Sequence, residues 1–453
     1  MSVQHFPHPV LDSTLSLKLQ SGSRVAVMGG GPAGSFFSYF LLDLAERVGL
    51  DLKVDIYEPR DFSLPAPKGC NMCAGVISET LIQNLAIEGI NLPAPVIQKA
   101  INSYVLHMDS GSQKIDAPLL EKRIATVYRG AGPQGAGEAR LQGFDGHLLS
   151  LAEKKGACTI HQRVTGVERA ADRLRVVTRS GLTDEYDLLA VASGVNSTAM
   201  KLFENADLKY KPPKTIKTAL VEYLLGKETI EEHFGNSLHV FLLDIPRLSF
   251  AMLIPKGDYL SACLLGKDID DDLVQAFLTA PEVKSCFPKD WRWDQPVCRC
   301  YPRVNVQAAE WPFADRVVFI GDIGVTRLYK DGIGAAYRAA KSAAATAILE
   351  GISAEDFQRH YGALSRTIEA DNRIGRIIFG VAHIIQRLHF SCRAVLKMVA
   401  HEQSEPGASP RMSTILWDTF TGSSPYLDVF QRALHPAFVG RFIWSLVRSL
   451  VAG

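Results

Sequence analysis

The sequence predicts an α/β fold in which a helix-covered parallel sheet is joined to a β-rich region and to a helical C-terminal region. Three observations support this prediction. A strand, a glycine turn and a helix follow one another at residues 24–47, alternating apolar runs fill residues 200–300, and helical apolar periodicity continues to the end. At 453 residues the chain exceeds one typical core, so several domains are expected.

The overall composition is that of an ordinary globular protein. Apolar residues make up 47% of the chain and the formal net charge is +1, which gives no electrostatic reason to expect a nucleic-acid partner. We see no apolar run long enough to span a bilayer, and the N-terminal residues lack the basic and apolar regions of a signal peptide. We therefore expect a cytoplasmic location, with peripheral attachment to the inner face of the membrane left open.

The glycine turn is the strongest local motif. An apolar strand at residues 25–28 leads directly into Gly29-x-Gly31-x-x-Gly34, and an apolar helix follows. Gly29 permits a tight turn, Gly31 lets backbone N–H groups approach a pyrophosphate, and Gly34 allows close helix packing. The helix N-terminus would then face the anion with its unpaired donors. This pattern predicts a Rossmann-like dinucleotide site.

An acidic residue supports the same site. The next predicted strand, residues 53–57, ends at Glu58, whose carboxylate can accept the ribose hydroxyls of an adenosine. Glu58 comes later than usual because residues 46–51 lengthen the connection between helix and strand. An ordinary glycine turn is the alternative, but it would not need this acid.

Further candidate residues follow later strands or open a later helix. They are Arg129, Gly321, Asp322, Gly332 and Gly334. Asp322 follows a buried strand and could instead be a helix N-cap, and Arg129 could be a solvated surface arginine. Gly332 and Gly334 begin an alanine-rich helix that extends to about residue 350.

In this order the motifs resemble those of FAD-dependent oxidoreductases with the para-hydroxybenzoate hydroxylase fold. The chain is most similar to the geranylgeranyl reductase group, which includes the FixC-like electron-transfer flavoproteins. The resemblance covers residues 22–350 and implies a Rossmann-like, three-layer ββα FAD-binding domain. The expected division is an FAD-binding domain at 22–99, 121–199 and 301–352, a β-rich substrate domain at 100–120 and 200–300, and a helical region at 353–453.

The resemblance implies a role for each matching residue. Asp322 would hold the ribityl chain, the Gly332 helix would point its N-terminus at the flavin pyrimidine edge, and Arg129 would lie near the cofactor. Cys73 falls where isoprenoid reductases carry a cysteine beside the substrate cavity. The full set of expected FAD-binding residues is Gly29, Gly31, Pro32, Ala33, Gly34, Glu58, Arg129, Gly321, Asp322, Gly332 and Gly334.

Three positions depart from the family pattern. Ser193-Gly194 replaces an Asp-Gly of the hydroxylases, which leaves the electron donor open between NAD(P)H and ferredoxin. Tyr329 and Lys330 stand where a proline fixes the turn before the glycine pair in the family, and Cys70 adds a thiol that the reductases generally lack.

Cys70 and Cys73 form a Cys-x-x-Cys motif with three possible roles. The pair could be a redox dithiol, it could join Cys298 and Cys300 in a metal or iron–sulfur site, or Cys73 could line the substrate cavity alone. A helix beginning near Gly75 would lower the pKa of a thiol. We assign Cys73 and Cys70 as catalytic candidates and assign no metal ligands.

Two C-terminal segments combine basic, apolar and aromatic residues at helical spacing. They span residues 374–401 and 436–453. Such helices can bind a membrane surface, and packing against the core of the protein is the alternative. For 374–401 we expect core packing, and for 436–453 both possibilities stay open.

Together these observations predict an enzyme, an FAD-dependent oxidoreductase similar to the geranylgeranyl reductases. We expect a reductase that passes hydride or electrons from flavin to an apolar isoprenoid-like or quinone-like acceptor. The alternatives are a flavin-dependent aromatic monooxygenase and an electron-transfer flavoprotein that docks to a protein partner.

Overall fold

The structure, a computed structural model, describes residues 17–119, 123–134, 142–170, 172–204, 208–292, 295–405 and 409–451. In chain order the strands are β1 (Arg24–Met28), β2 (Lys53–Tyr57), β3 (Val76–Ile77), β4 (Ile97–Ile101), β5 (Ser103–Met108), β6 (Gly111–Asp116), β7 (Ile124–Val127), β8 (Cys158–Ile160), β9 (Val164–Ala170), β10 (Arg173–Thr178), β11 (Thr183–Tyr186), β12 (Leu188–Val191), β13 (Lys214–Leu224), β14 (Ser237–Leu242), β15 (Leu248–Lys256), β16 (Tyr259–Gly266), β17 (Cys298–Cys300), β18 (Arg303–Gln307), β19 (Phe313–Ala314) and β20 (Val317–Phe319).

The helices account for most of the last third of the chain. In chain order they are α1 (Pro32–Arg47), α2 (Glu79–Ile87), α3 (Phe144–Lys154), α4 (Lys201–Glu204), α5 (Lys227–His233), α6 (Asp271–Thr279), α7 (Pro281–Lys284), α8 (Gly332–Ala345), α9 (Ala354–Arg359), α10 (Tyr361–Gln386), α11 (His389–Ser404), α12 (Arg411–Thr421), α13 (Tyr426–Ala433) and α14 (Pro436–Val451).

The first sheet has the strand order β19-β20-β12-β1-β2-β8. Its strands pair in parallel except for β19 at the edge. Helices α1, α3 and α8 pack on one face of this sheet, and their side chains form one buried apolar cluster with it. The small sheet of β9, β10 and β11 packs on the other face. Apolar residues therefore fill both faces of the parallel strands, as buried parallel sheets require. This three-layer arrangement confirms the predicted fold class.

The second sheet has eight strands, in the order β17-β13-β16-β15-β14-β5-β6 with β18 also paired to β13. The β5–β6 hairpin comes early in the chain, yet β5 pairs in parallel with β14. This long-range pairing draws the early hairpin into the sheet built by residues 214–307.

The C-terminal helices cover one face of the second sheet. Trp417 of α12 is fully buried, and its ring stacks on Tyr104 of β5 with centroids 5.2 Å apart. Residues of α11, α12 and α14 belong to the same buried cluster as the inner side chains of β5, β14 and β15. The opposite face packs against α5, α6 and α7. The helical tail is thus part of the core of this region.

The predicted segment 374–401 is divided between two helices with different environments. Helix α11 turns its apolar side chains into the core, as expected for this segment. Helix α10 instead leaves a row of apolar side chains exposed, and α14 does the same. The exposed residues are Ile377, Val381 and Ile384 in α10, and Ile443, Trp444, Val447, Leu450 and Val451 in α14. Within the described ranges, no helix combines the length and the apolar character needed to cross a membrane.

Candidate functional site

A cavity lies between the carboxyl ends of the first sheet and one part of the second sheet. The turns after β1, β12 and β20 line one end, and side chains of β13, β15 and β16 line the other. This is the edge of an open α/β sheet where ligands bind, because the strand order changes direction there. Every predicted FAD-binding residue except Gly34 and Gly334 lines the cavity.

The glycine turn has the geometry of an anion cradle. Gly29 adopts a φ of +112°, and a Cβ on Gly34 would lie 1.8 Å from the carbonyl oxygen of Gly29. At Gly31, by contrast, a Cβ would meet only the Nδ2 atom of Asn71, at 3.3 Å. No side chain caps the N-terminus of α1. The first-turn N–H groups are therefore available to a bound anion.

Glu58 lies beside the same turn and is almost completely buried. One carboxylate oxygen accepts a hydrogen bond of 2.9 Å from the N–H of Gly30, and the other accepts one of 2.9 Å from the N–H of Arg60. Burial raises the pKa of Glu58, and the two N–H donors oppose that rise. Each oxygen retains a lone pair that could accept a ligand hydroxyl.

Gly321 and Asp322 meet the start of α1 from the other side. Gly321 has a φ of +68°, and a Cβ there would lie 2.7 Å from the Cβ of Ala33. Burial raises the pKa of Asp322, while the charge of Arg129 lowers it. The side-chain amide of Asn305 donates a hydrogen bond to the backbone carbonyl of Asp322. The acid is thus held at the cavity wall by a buried turn.

Arg129 is held by an acid that the sequence did not indicate. Its Nε and Nη2 atoms donate to the two carboxylate oxygens of Asp145 at 2.5 and 3.0 Å, and the Asp145 side chain is completely buried. Burial lowers the pKa of Arg129, but Asp145 and the neighbouring Cys73 raise it by more, so the pKa lies above its usual value. Asn71 donates a further hydrogen bond to Asp145.

The two thiols of the Cys-x-x-Cys motif have different surroundings. Cys73 lines the cavity, whereas Cys70 does not. Burial raises the pKa of Cys70, and it also raises that of Cys300 to about 12, with the neighbouring Cys70 as a further cause. Cys70 therefore lies toward the second cysteine pair. All eight cysteines are free thiols.

The prediction of a helix beginning near Gly75 was wrong. The chain instead forms strand β3, which pairs with β7, and α2 begins only at Glu79 with Ser78 as its N-cap. Gly75 has a φ of +66°, and a Cβ there would lie 2.0 Å from the carbonyl oxygen of Val127. Pairing with β7 therefore sets this conformation, and the helix expected beside Cys73 starts four residues later, at Glu79.

One group of metal-ligand-type side chains converges elsewhere in the described residues. The possible ligand atoms of His107, His239 and Cys286 lie within 4.8 Å of one another, whereas the predicted cysteine set forms no such group. The two imidazoles are linked by a hydrogen bond of 3.0 Å, and Ser112 bonds to His107 at 2.7 Å. Burial lowers the pKa of His107 to about 4 and that of His239 to about 3. Both rings are therefore neutral partners near pH 7.

The loop before α8 replaces the expected proline turn. Tyr329 and Asp331 both adopt left-handed conformations, with φ of +61° and +55°. The Asp331 carboxylate accepts hydrogen bonds from Arg338 at 3.2 Å, and it occupies the space where a side chain on Gly334 would project. Gly334 is therefore needed for the packing of Asp331, and Gly332 lies at the cavity wall.

Comparison with solved structures identifies the architecture. A geranylgeranyl bacteriochlorophyll reductase-like protein of Thermoplasma acidophilum matches with a TM-score of 0.64 at 16% identity, over 91% of this chain and 98% of that one. The halogenase PltM, solved with phloroglucinol and FAD, matches with a TM-score of 0.59 at 13% identity, over 95% and 92% of the two chains. The chain has the FAD-binding fold of the para-hydroxybenzoate hydroxylase type.

A further solved structure with this fold is named as a dehydrogenase. A flavoprotein/dehydrogenase of Cytophaga hutchinsonii matches with a TM-score of 0.57 at 14% identity, over 88% of this chain and 92% of that one. No protein-family model and no curated protein sequence matches the chain. The comparisons thus confirm the fold predicted from the motifs.

Several residues that shape the cavity were not identified from the sequence. Asn71, Lys330 and Phe420 line it, and Asp145 holds Arg129. Asn71 immediately follows the first cysteine of the motif and Lys330 lies just before the second glycine pair, so both were near recognised signals. Phe420 belongs to the tail, and no local pattern connects it to the cavity.

Proposed function

We propose that this protein is an FAD-dependent oxidoreductase that transfers hydride or electrons to an apolar acceptor. The observation that supports the proposal is one continuous cavity that runs from the glycine turn to an apolar wall on the second sheet. Such a cavity could accept a dinucleotide at one end and a second molecule beside it at the other.

The residues at the first end fit FAD. The N–H groups at the start of α1 would bind the pyrophosphate, Glu58 would accept ribose hydroxyls, and Asp322 would accept from the ribityl chain. The open space at Gly31 leaves room for this approach. When bound, the flavin supplies the hydride or electron chemistry, and the protein orients the reactants and excludes water.

The residues at the other end fit an apolar acceptor. The wall is mainly aliphatic, with Cys73 and Cys263 as small polarisable groups, and its apolar members include Val76, Leu220, Met252, Ile254 and Leu265. Such a surface would desolvate an isoprenoid-like or quinone-like molecule and hold it by contact area. Phe420 of the tail contributes one side of this wall.

Two other functions use the same fold. The similarity in fold to the halogenase PltM favours a monooxygenase-type reaction with oxygen as acceptor. An electron-transfer flavoprotein would need a protein partner that collects the electrons. NAD(P)H and ferredoxin both stay open as donors.

Anaerobic reoxidation tests the proposed function. The FAD-loaded protein should be reduced by dithionite, and its flavin should be reoxidised by an apolar quinone at least about ten times faster than by a water-soluble one, because the wall binds apolar surface. Reoxidation by oxygen alone, with no response to any quinone, would contradict the reductase proposal and favour the monooxygenase.

An anaerobic dithionite titration distinguishes the roles of Cys70 and Cys73. A redox dithiol would raise the uptake from two to about four electrons per flavin, and Cys70→Ser would reduce turnover as strongly as Cys73→Ser. We expect two electrons and a mild effect of Cys70→Ser, because Cys70 lies outside the cavity. Full activity in Cys73→Ser would remove that thiol from the catalytic candidates.

We also propose that α14 binds an anionic membrane surface. Ile443, Trp444 and Val447 are exposed apolar residues, and Arg441 and Arg448 lie on the same helix. Exposed apolar side chains next to arginines suit the interface of an anionic bilayer.

Deletion from Pro436 onward tests this attachment. We expect the deletion to lower co-sedimentation with anionic liposomes at least about fivefold and to leave flavin content unchanged. Because α14 also packs on α11, the double variant Ile443→Ser/Trp444→Ser serves as the milder change. Equal sedimentation of wild type and both variants would contradict the proposal.

A further inference from the structure

Lys330 places a buried amine at the apolar end of the cavity. The residue is only 9% exposed and lines the cavity wall. Its Nζ atom lies 2.9 Å from the Sδ atom of Met252 and 4.4 Å from the ring centroid of Phe250. Burial lowers the pKa of this amine and the thiol of Cys263 raises it, and among the described residues no carboxylate forms an ion pair with Nζ.

A second buried lysine shows what a partnered amine looks like in this fold. Lys256 is 1% exposed, and its Nζ atom lies 3.6 Å from Oε1 of Glu222. Buried charges are normally paired in this way because their desolvation is costly. Lys330 instead has a thioether and the faces of Phe250 and Phe420, which compensate a cation only in part. The partner that would compensate this cation most strongly is therefore an oxygen anion.

The backbone fixes the position of Lys330. The residues on either side, Tyr329 and Asp331, adopt left-handed conformations, and Asp331 is held by Arg338. The N–H of Lys330 donates to the carbonyl oxygen of Leu328 at 2.7 Å. The side chain is thereby directed into the apolar wall, where a ligand could reach its Nζ atom.

We propose that Lys330 binds an acidic oxygen of the acceptor, so that the ligand of this cavity is an apolar molecule carrying a hydroxyquinone, phenolate or carboxylate anion. The inference rests on the proposed function, because it places the acceptor at this end of the cavity. A charge-assisted hydrogen bond to an oxygen anion on the ligand would give Lys330 the anionic partner that it lacks among the described residues. A plain isoprenoid hydrocarbon would leave the amine unpaired.

Burial lowers the pKa of Lys330 to about 8, which gives the binding a pH dependence. The amine is charged below this pKa and neutral above it. Anion binding should therefore be strong near neutrality and should weaken as the pH rises through about 8. An uncharged ligand should bind equally on both sides of that value.

Two ligands that differ in charge test the inference. A hydroxynaphthoquinone anion and its uncharged methyl ether are titrated anaerobically into FAD-loaded wild type, Lys330→Met and Lys341→Met, with binding read from the flavin absorbance and by calorimetry. Lys341 lies on α8 outside the cavity and is the matched control. Wild type and Lys341→Met should bind the anion at least about tenfold more tightly than the ether, and Lys330→Met should lose this preference.

The outcomes separate the inference from the proposed function. Equal binding of anion and ether by wild type, or an unchanged preference in Lys330→Met, overturns the role of Lys330 even when the flavin is present and the quinone reoxidises it. A wild-type protein that binds no flavin overturns the proposed function instead. If Lys330→Met fails to fold, the pH series on wild type decides: anion affinity that stays constant between about pH 7 and about pH 9 overturns the inference, and a loss of about tenfold supports it.

Discussion

Replacing Gly31 by valine should yield a folded protein that purifies without FAD. Gly31 has a φ of −66° and a ψ of −176°, which any residue can adopt. A Cβ there would meet only the Nδ2 atom of Asn71, at 3.3 Å and not from the backbone, so the fold should tolerate the larger side chain. That side chain would occupy the approach to the N-terminus of α1. We expect FAD affinity to fall at least about 100-fold, or about 2.7 kcal/mol.

The measurement is the ratio of flavin to protein absorbance after purification, with circular dichroism to check folding. Gly380→Val is the matched control, because no atom outside the neighbouring turns of its own helix lies within 4 Å of its Cβ position and it lies on α10 outside the cavity. Gly34→Ala should behave differently and prevent folding, since its Cβ would lie 1.8 Å from a carbonyl oxygen. Full flavin occupancy in Gly31→Val would show that the pyrophosphate binds elsewhere.

Replacing Arg129 by methionine should destabilise the protein by about 3–5 kcal/mol. The substitution leaves the carboxylate of Asp145 completely buried with no cationic partner in bidentate contact. Only the amide of Asn71 remains among its side-chain hydrogen bonds. The free energy of unfolding should be measured by urea titration of the FAD-free protein, so that cofactor binding does not contribute.

A second substitution tests the cause. Asp145→Asn in the Arg129→Met background removes the buried charge and should recover more than half of the lost stability. If the loss came from the missing volume of the arginine side chain, the double variant would be as unstable as the single one. A loss below about 1 kcal/mol in Arg129→Met would show that the pair contributes little.

The most successful sequence predictions concern consecutive residues. The strand, glycine turn and helix at residues 24–47 appear as β1 and α1, and Glu58 follows directly after β2. Backbone conformation, apolar periodicity and helix termini are local properties, and they favour the same structure at every position of this stretch. The helix predicted near Gly75 was wrong because that prediction used only neighbouring residues. Pairing of β3 with the distant strand β7 overrides the local preference.

By itself, the sequence determined the fold class and the strand, glycine turn and acid at Glu58 that form one end of the cavity. Only the tertiary structure decided which charges lie there. Asp145 meets Arg129 because α3 packs beside the end of β7, and Phe420 reaches the wall because the tail covers the second sheet. Lys330 has no acid partner for the same kind of reason: burial and pairing depend on side chains that come from distant parts of the chain, and no local pattern records them.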